Sequence, residues 1–188
     1  MTTIDQTTAT LAELRADLTR RTGRGINAIV AGIGLWSVFT ALGAFVTSEF
    51  VLALCYVFGA GLLFPLSLLV ARAMKLDTFA KGNPLAPLAG LTGTLQLLFT
   101  PLMIGATFLV PAAVPWFLAV LVGAHFLPFS WLFASKAYVF AAIAMPVLAG
   151  LAGWLLPTLV PIVAPAAVVA VLVVTAIMLA RENAADRA

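Results

Sequence analysis

The amino-acid sequence predicts an all-α fold, a polytopic membrane helix bundle of about six transmembrane helices with both termini cytoplasmic. Three observations predict it. First, 63% of the 188 residues are hydrophobic and 9% are charged, with a mean hydropathy of +1.15. One water-soluble core of this size could not hide that much apolar surface. Second, charged residues divide the apolar part into blocks 26–71, 88–134 and 137–180, each long enough for two spans and a turn. Third, these blocks are continuously apolar. Barrel strands would alternate, so helices are left to satisfy the backbone in hydrocarbon.

The polar segment 1–25 comes first. Thr10 and Glu13 have capping-box spacing, and Leu11, Leu14 and Leu18 form an apolar stripe opposite Arg15 and Asp17. This predicts a short amphipathic helix along the cytoplasmic headgroups. The six-span bundle occupies 26–180, with spans at 26–46, 50–71, 88–109, 114–134, 137–156 and 160–180. The first span follows too long a polar stretch to be a signal peptide, so it reads as retained. Within each block the turn has its own chemistry. Thr47-Ser48-Glu49 interrupts the first, Pro111 and Pro115 the second, and Pro157 and Pro161 the third. Residues 181–188 form a cytoplasmic tail.

Orientation follows from the basic residues. Arg15, Arg20, Arg21 and Arg24 precede the first span; Arg72, Lys75 and Lys81 separate the second and third. Lys136 lies between the fourth and fifth, and Arg181 and Arg187 follow the sixth. These are all ten Lys and Arg residues, and Glu49 is the one charge in the three opposite turns. An excess of Lys and Arg marks the cytoplasmic side.

Several function classes fall away. The pI near 9.5 does not imply nucleic acid, because the cations are scattered over span ends and form no extended patch. Cys55 is the single cysteine, so an intrachain disulfide and paired zinc ligands are excluded. There is no second histidine, carboxylate pair or glycine-rich phosphate loop leading into a strand. No catalytic residue, metal site or cofactor is expected.

Chemistry inside the bilayer narrows to one spot. Among ionisable side chains only His125 falls near mid-depth, about nine residues from the cytoplasmic end of its span and so about 13 Å deep at the helical rise. Gln96 lies at a similar level in the preceding, antiparallel span, so the two can hydrogen-bond if their faces agree. Pro128 lacks an N–H and should free the carbonyl of Ala124 beside them. Ser130 and Trp131 follow closely, and the four residues His125, Gln96, Ser130 and Trp131 make the candidate ligand-binding set. The alternative is an interhelical clasp, worth about 0.6 kcal/mol on average in membranes. Prolines 65, 101, 128 and 146 predict kinks in four consecutive spans. Pairs of small residues, Gly32/Gly34, Gly59/Gly61 and Gly150/Gly153, predict close helix packing.

The stretch Gly123-Ala124-His125-Phe126-Leu127-Pro128-Phe129-Ser130-Trp131, with Asn83-Pro84-Leu85 upstream, resembles a family of small uncharacterised bacterial multi-span inner-membrane proteins. The resemblance implies a bacterial cell-membrane origin and a reason to look at His125, and it carries over no activity. The expected function is that of a small-molecule transporter or ligand-binding bundle, with the lipid bilayer and a small-molecule ligand as partners. A homodimer belongs to this expectation, because 26–180 is small for alternating access by one chain. The rival expectation is a structural or accessory membrane protein without transport or catalysis.

Overall fold

A computed structural model describes residues 9–187. The first eight residues of the N-terminal segment and the last residue of the tail lie outside it. Among the described residues there is no strand, and five helical stretches are long and apolar enough to cross a membrane. A sixth is a pair of helices bent by 46° at a short break.

Helix α1 (Leu11–Thr22) opens with the capping box. The Thr10 hydroxyl accepts from the Glu13 N–H, and the Glu13 carboxylate accepts from the Thr10 N–H at 2.7 Å. These are two of the donors a helix start leaves unpaired. Leu18 is fully buried, whereas Leu11 is exposed, so one end of the apolar stripe packs on protein. Gly23, Arg24 and Gly25 then take consecutive left-handed conformations (φ +57°, +56°, +70°), turning the chain into α2 (Ile26–Phe45). Glycine takes this region freely, but Arg24 does so at a steric cost.

The second span is the bent pair, α3 (Glu49–Ala60) and α4 (Leu63–Ala73). Pro65 cannot donate to residue 61 and its ring crowds that carbonyl, and the helix breaks at 61–62. The same reason disturbs the next two spans. The third is α5 (Ala86–Thr94), a 3-10 stretch Leu95–Phe99 and α6 (Thr100–Leu109), with Pro101 just beyond the stretch. The fourth is α7 (Val114–Ala124) and α8 (Leu127–Leu132), with Pro128 just beyond the break. Pro146 differs: α9 (Lys136–Leu155) runs through it unbroken. The last helix, α10 (Val160–Ala185), continues five residues past the end of the apolar block. Pro111 and Pro157 each begin a 3-10 turn, while Pro115 and Pro161 sit in the first turn of the helix that follows.

Helix α10 is central and packs on α2, α9 and α7; α7 in turn packs on α9, and α4 on α2. The third span is peripheral, with Leu91, Leu97, Leu98 and Phe108 among its exposed side chains. Glycines set several close approaches. A Cβ on Gly43 would strike the Pro161 carbonyl, and one on Gly123 would strike the Pro146 ring. One on Gly59 would meet the Phe39 ring at 2.6 Å. Phe39 stacks on Tyr56 at 4.4 Å between ring centroids and meets Trp36 edge-on.

The two ends of the bundle differ in charge. At one end Arg24 bonds Asn183, Ser135 bonds Glu182, and Arg21 pairs with Asp77. The corner before α2, the end of α10, the 133–136 turn and the 74–85 loop therefore lie together there, with all ten Lys and Arg residues on or beside them. The turns near residues 46–49, 110–113 and 156–159 converge at the other end around Glu49.

Candidate functional site

His125 and Gln96 meet where the third span tightens into a 3-10 stretch and the fourth is interrupted by a short turn. Gln96 lies within the 3-10 stretch of the third span, and His125 is the first residue after α7. The break explains the imidazole's first partner. Phe126 N–H bonds the Gly123 carbonyl at 3.0 Å instead of reaching back four residues. The Val122 carbonyl therefore lacks its helical donor and accepts from His125 Nδ1. That contact fixes the proton on Nδ1, so Nε2 is the acceptor, and Gln96 Nε2–H donates to it at 2.8 Å. The same amide nitrogen is 3.1 Å from Nδ1, but two donors cannot bond each other. The freed carbonyl that matters is thus Val122, two residues before the Ala124 that proline geometry alone suggests.

The surroundings are aromatic. Phe126 and Phe129 lie 4.4 and 5.8 Å from the His125 ring, and both adjoin Tyr138. His125 is 6% exposed and Gln96 half-buried. The other two candidates are not brought to this pair. The Ser130 hydroxyl bonds the Leu127 carbonyl of its own helix at 2.6 Å. Trp131 is 53% exposed and carries the Arg15 guanidinium 3.9 Å above its ring. Two of the Arg15 nitrogens are buried with no hydrogen-bond partner, and the indole face is what the cation rests on instead.

Two side-chain clusters at the charged end were hidden from the sequence. In the first, Arg24 is buried and donates to Asn183 at 2.7 Å, with Asp186 at 2.8 Å and Glu182 at 3.5 Å. Glu182 also caps α9, accepting from the Ser135 hydroxyl and the Lys136 and Ala137 N–H groups. The Tyr138 hydroxyl donates to the Arg24 carbonyl, and Asn183 donates to Gly23. The glycines flanking Arg24 were the available signal for such a corner; nothing local pointed to residues 182–186.

In the second cluster the 74–85 loop closes over α1. Arg21 bonds both Asp77 and the Lys81 carbonyl. Asn83 donates to the Leu14 carbonyl and to Asp17, and accepts from the Leu85 N–H. Burial would push the Asp77 carboxyl up, but hydrogen bonds from Arg21 and from the Ala80 N–H outweigh it and hold it below its usual range. The bond to Asp77 raises Arg21 in return.

Among the described residues no group of His, Cys, Asp and Glu side chains could hold a metal ion. Two surface cavities stand out, of about 380 and 230 Å³. Neither is lined by His125.

A family of unknown function, DUF7010, matches residues 11–182. The chain belongs to that family. No curated protein and no solved structure matches it. The family boundaries enclose α1 and Glu182, so the Glu182 cap on α9 and the Arg21–Asp77 pair lie within the matched region, while Thr10, Asn183 and Asp186 lie just beyond it.

Proposed function

We propose that this DUF7010 member is a membrane protein that binds, and as a transporter moves, a small polar solute at the Gln96–His125 pair. The observation that carries this reading is the hydrogen bond between two spans whose regular α-helix is interrupted at the same place, one by a 3-10 stretch and one by a turn. Discontinuous helices facing each other at depth are how membrane carriers present polar backbone to a solute. Gln96, half-buried, is the side of the pair that a solute would reach first. The charged end faces the cytoplasm of a bacterial cell in this reading, by the excess of Lys and Arg there.

A specific observation favours a second reading, that of a structural clasp. Both imidazole nitrogens are already engaged by Val122 and Gln96, and neither cavity is lined by His125. Thiol accessibility separates the two. In a Cys55→Ser background, His125→Cys and Gln96→Cys are treated with a water-soluble methanethiosulfonate, with exposed Ala73→Cys as reactive control. Modification at 96 and 125 supports a solute path. Reaction at 73 alone removes the carrier reading and leaves the clasp.

A further inference from the structure

The bundle end opposite the charged one holds a feature that the polar pair does not explain. Its three turns line an open surface depression of about 380 Å³, bordered by Glu49, Pro111, Trp116, Gly153 and Pro157 among others. Cavities of roughly 300–1,000 Å³ hold small organic ligands. Here the polar chemistry is one-sided. Among the described residues Glu49 is the only Asp, Glu, Lys, Arg or His at this end, and its carboxylate has no ion pair or hydrogen bond. Pro111 and Pro157 bring no N–H groups, which leaves fewer backbone donors on that wall for an anion. The indole of Trp116 is held on the wall, packed against the Gly153 backbone so closely that a Cβ there would come within 2.7 Å of it.

An exposed carboxylate and an indole that line the same open, mostly apolar depression match one class of ligand. We propose that this cavity is a binding site for a small organic ammonium ion, with Glu49 as counter-charge and Trp116 as the aromatic wall. Aromatic rings attract quaternary and alkylated ammonium groups through their negative faces, and a carboxylate adds directional charge. The field supports the sign. With every Lys and Arg at the far end, no cation of the protein competes for Glu49. Its place at the start of α3 accounts for a negative charge being tolerated there, though not for the cavity and indole assembled on it. This proposal is independent of the Gln96–His125 reading, since the site lies at another level and shares no residue with it.

The test uses the full chain purified in detergent. Its thermal unfolding midpoint is followed against tetraethylammonium chloride, with equal sodium chloride as the reference. A ligand that binds the folded state raises the midpoint saturably. The expected result is such a rise in the unsubstituted protein. Its apparent affinity should weaken by about tenfold or more in Glu49→Gln and in Trp116→Leu. Trp154→Leu, at an 82% exposed tryptophan on the same end that does not line the cavity, should keep it. No saturable rise over sodium chloride, or an undiminished rise in Glu49→Gln, overturns the proposal.

Discussion

At the scale of single residues, Glu182 joins more of the molecule than any position inside the bilayer. Its carboxylate satisfies donors at the start of α9 and lies within 3.5 Å of Arg24. Arg24 is held in a left-handed conformation that costs roughly 1–2 kcal/mol for a residue with a Cβ, offset by Asn183 and Asp186. Removing the carboxylate leaves several donors without partners. Glu182→Ala should therefore destabilise the chain by about 1–3 kcal/mol, read as a lowered unfolding midpoint in detergent. Sequence reading placed Glu182 in a tail because its partners lie 45 to 47 positions away, and no local window contains both. The Gln96–His125 contact was legible because equal depth in an antiparallel hairpin is simple arithmetic. Ser130 and Trp131 were grouped with it by chain proximity, and the break after α7 redirects them. A second expectation concerns Asp77. Its folded pKa is lowered, so its contribution is complete above its unfolded value and lost as pH falls through the folded one. The Ala80 amide, bonded to the Asp77 carboxylate at 3.0 Å, should report that transition in an NMR pH titration. Asp77→Asn should abolish it.

At the scale of elements, prolines and glycines decide where helices stop and how near they come. Pro65, Pro101 and Pro128 each follow a break or tightened turn, as the missing N–H demands. Pro146 carries the same defect inside an unbroken α9, where its ring seats against Gly123 of α7. Sequence shows the defect equally at all four positions; the neighbour that holds the fourth is visible only in three dimensions. The glycines divide the same way. A Cβ on Gly43 would meet backbone, and one on Gly123 would meet a proline ring and the Met145 Cβ at 2.9 Å. Neither neighbour can rotate aside. Gly43→Ala and Gly123→Ala should each cost about 1–3 kcal/mol through overpacking. Gly34 and Gly150 have nothing within 4 Å, and alanine at either should be neutral or slightly stabilising through helix propensity. Paired unfolding midpoints check both statements. Equal losses at all four positions would mean that glycine flexibility, not spacing, is what the helices use.

At the scale of the whole molecule, charge and topology bear on orientation together. The described chain begins and ends at one end of the bundle, fixed there by Arg24 to Asn183, so the number of crossings is even. If the five single stretches all cross, the bent α3–α4 pair counts as one span too, making six. Were it a re-entrant loop, the crossings would number five and the two termini would be on opposite sides, against the Arg24 contacts. Cations held at the membrane surface remain on the cytoplasmic side during insertion, and here all ten share one end. In intact cells, a Cys55→Ser protein carrying Ala112→Cys, an exposed position beside the Glu49 cavity, should react with a membrane-impermeant maleimide. The same protein with Ala73→Cys instead should react only after the membrane is opened. Reaction of both positions in intact cells would mean mixed insertion, and reaction of position 73 alone would invert the molecule. In the inverted case the ammonium cavity would open to the cytoplasm and draw its ligand from inside the cell. The labelling pattern therefore fixes which compartment supplies that ligand.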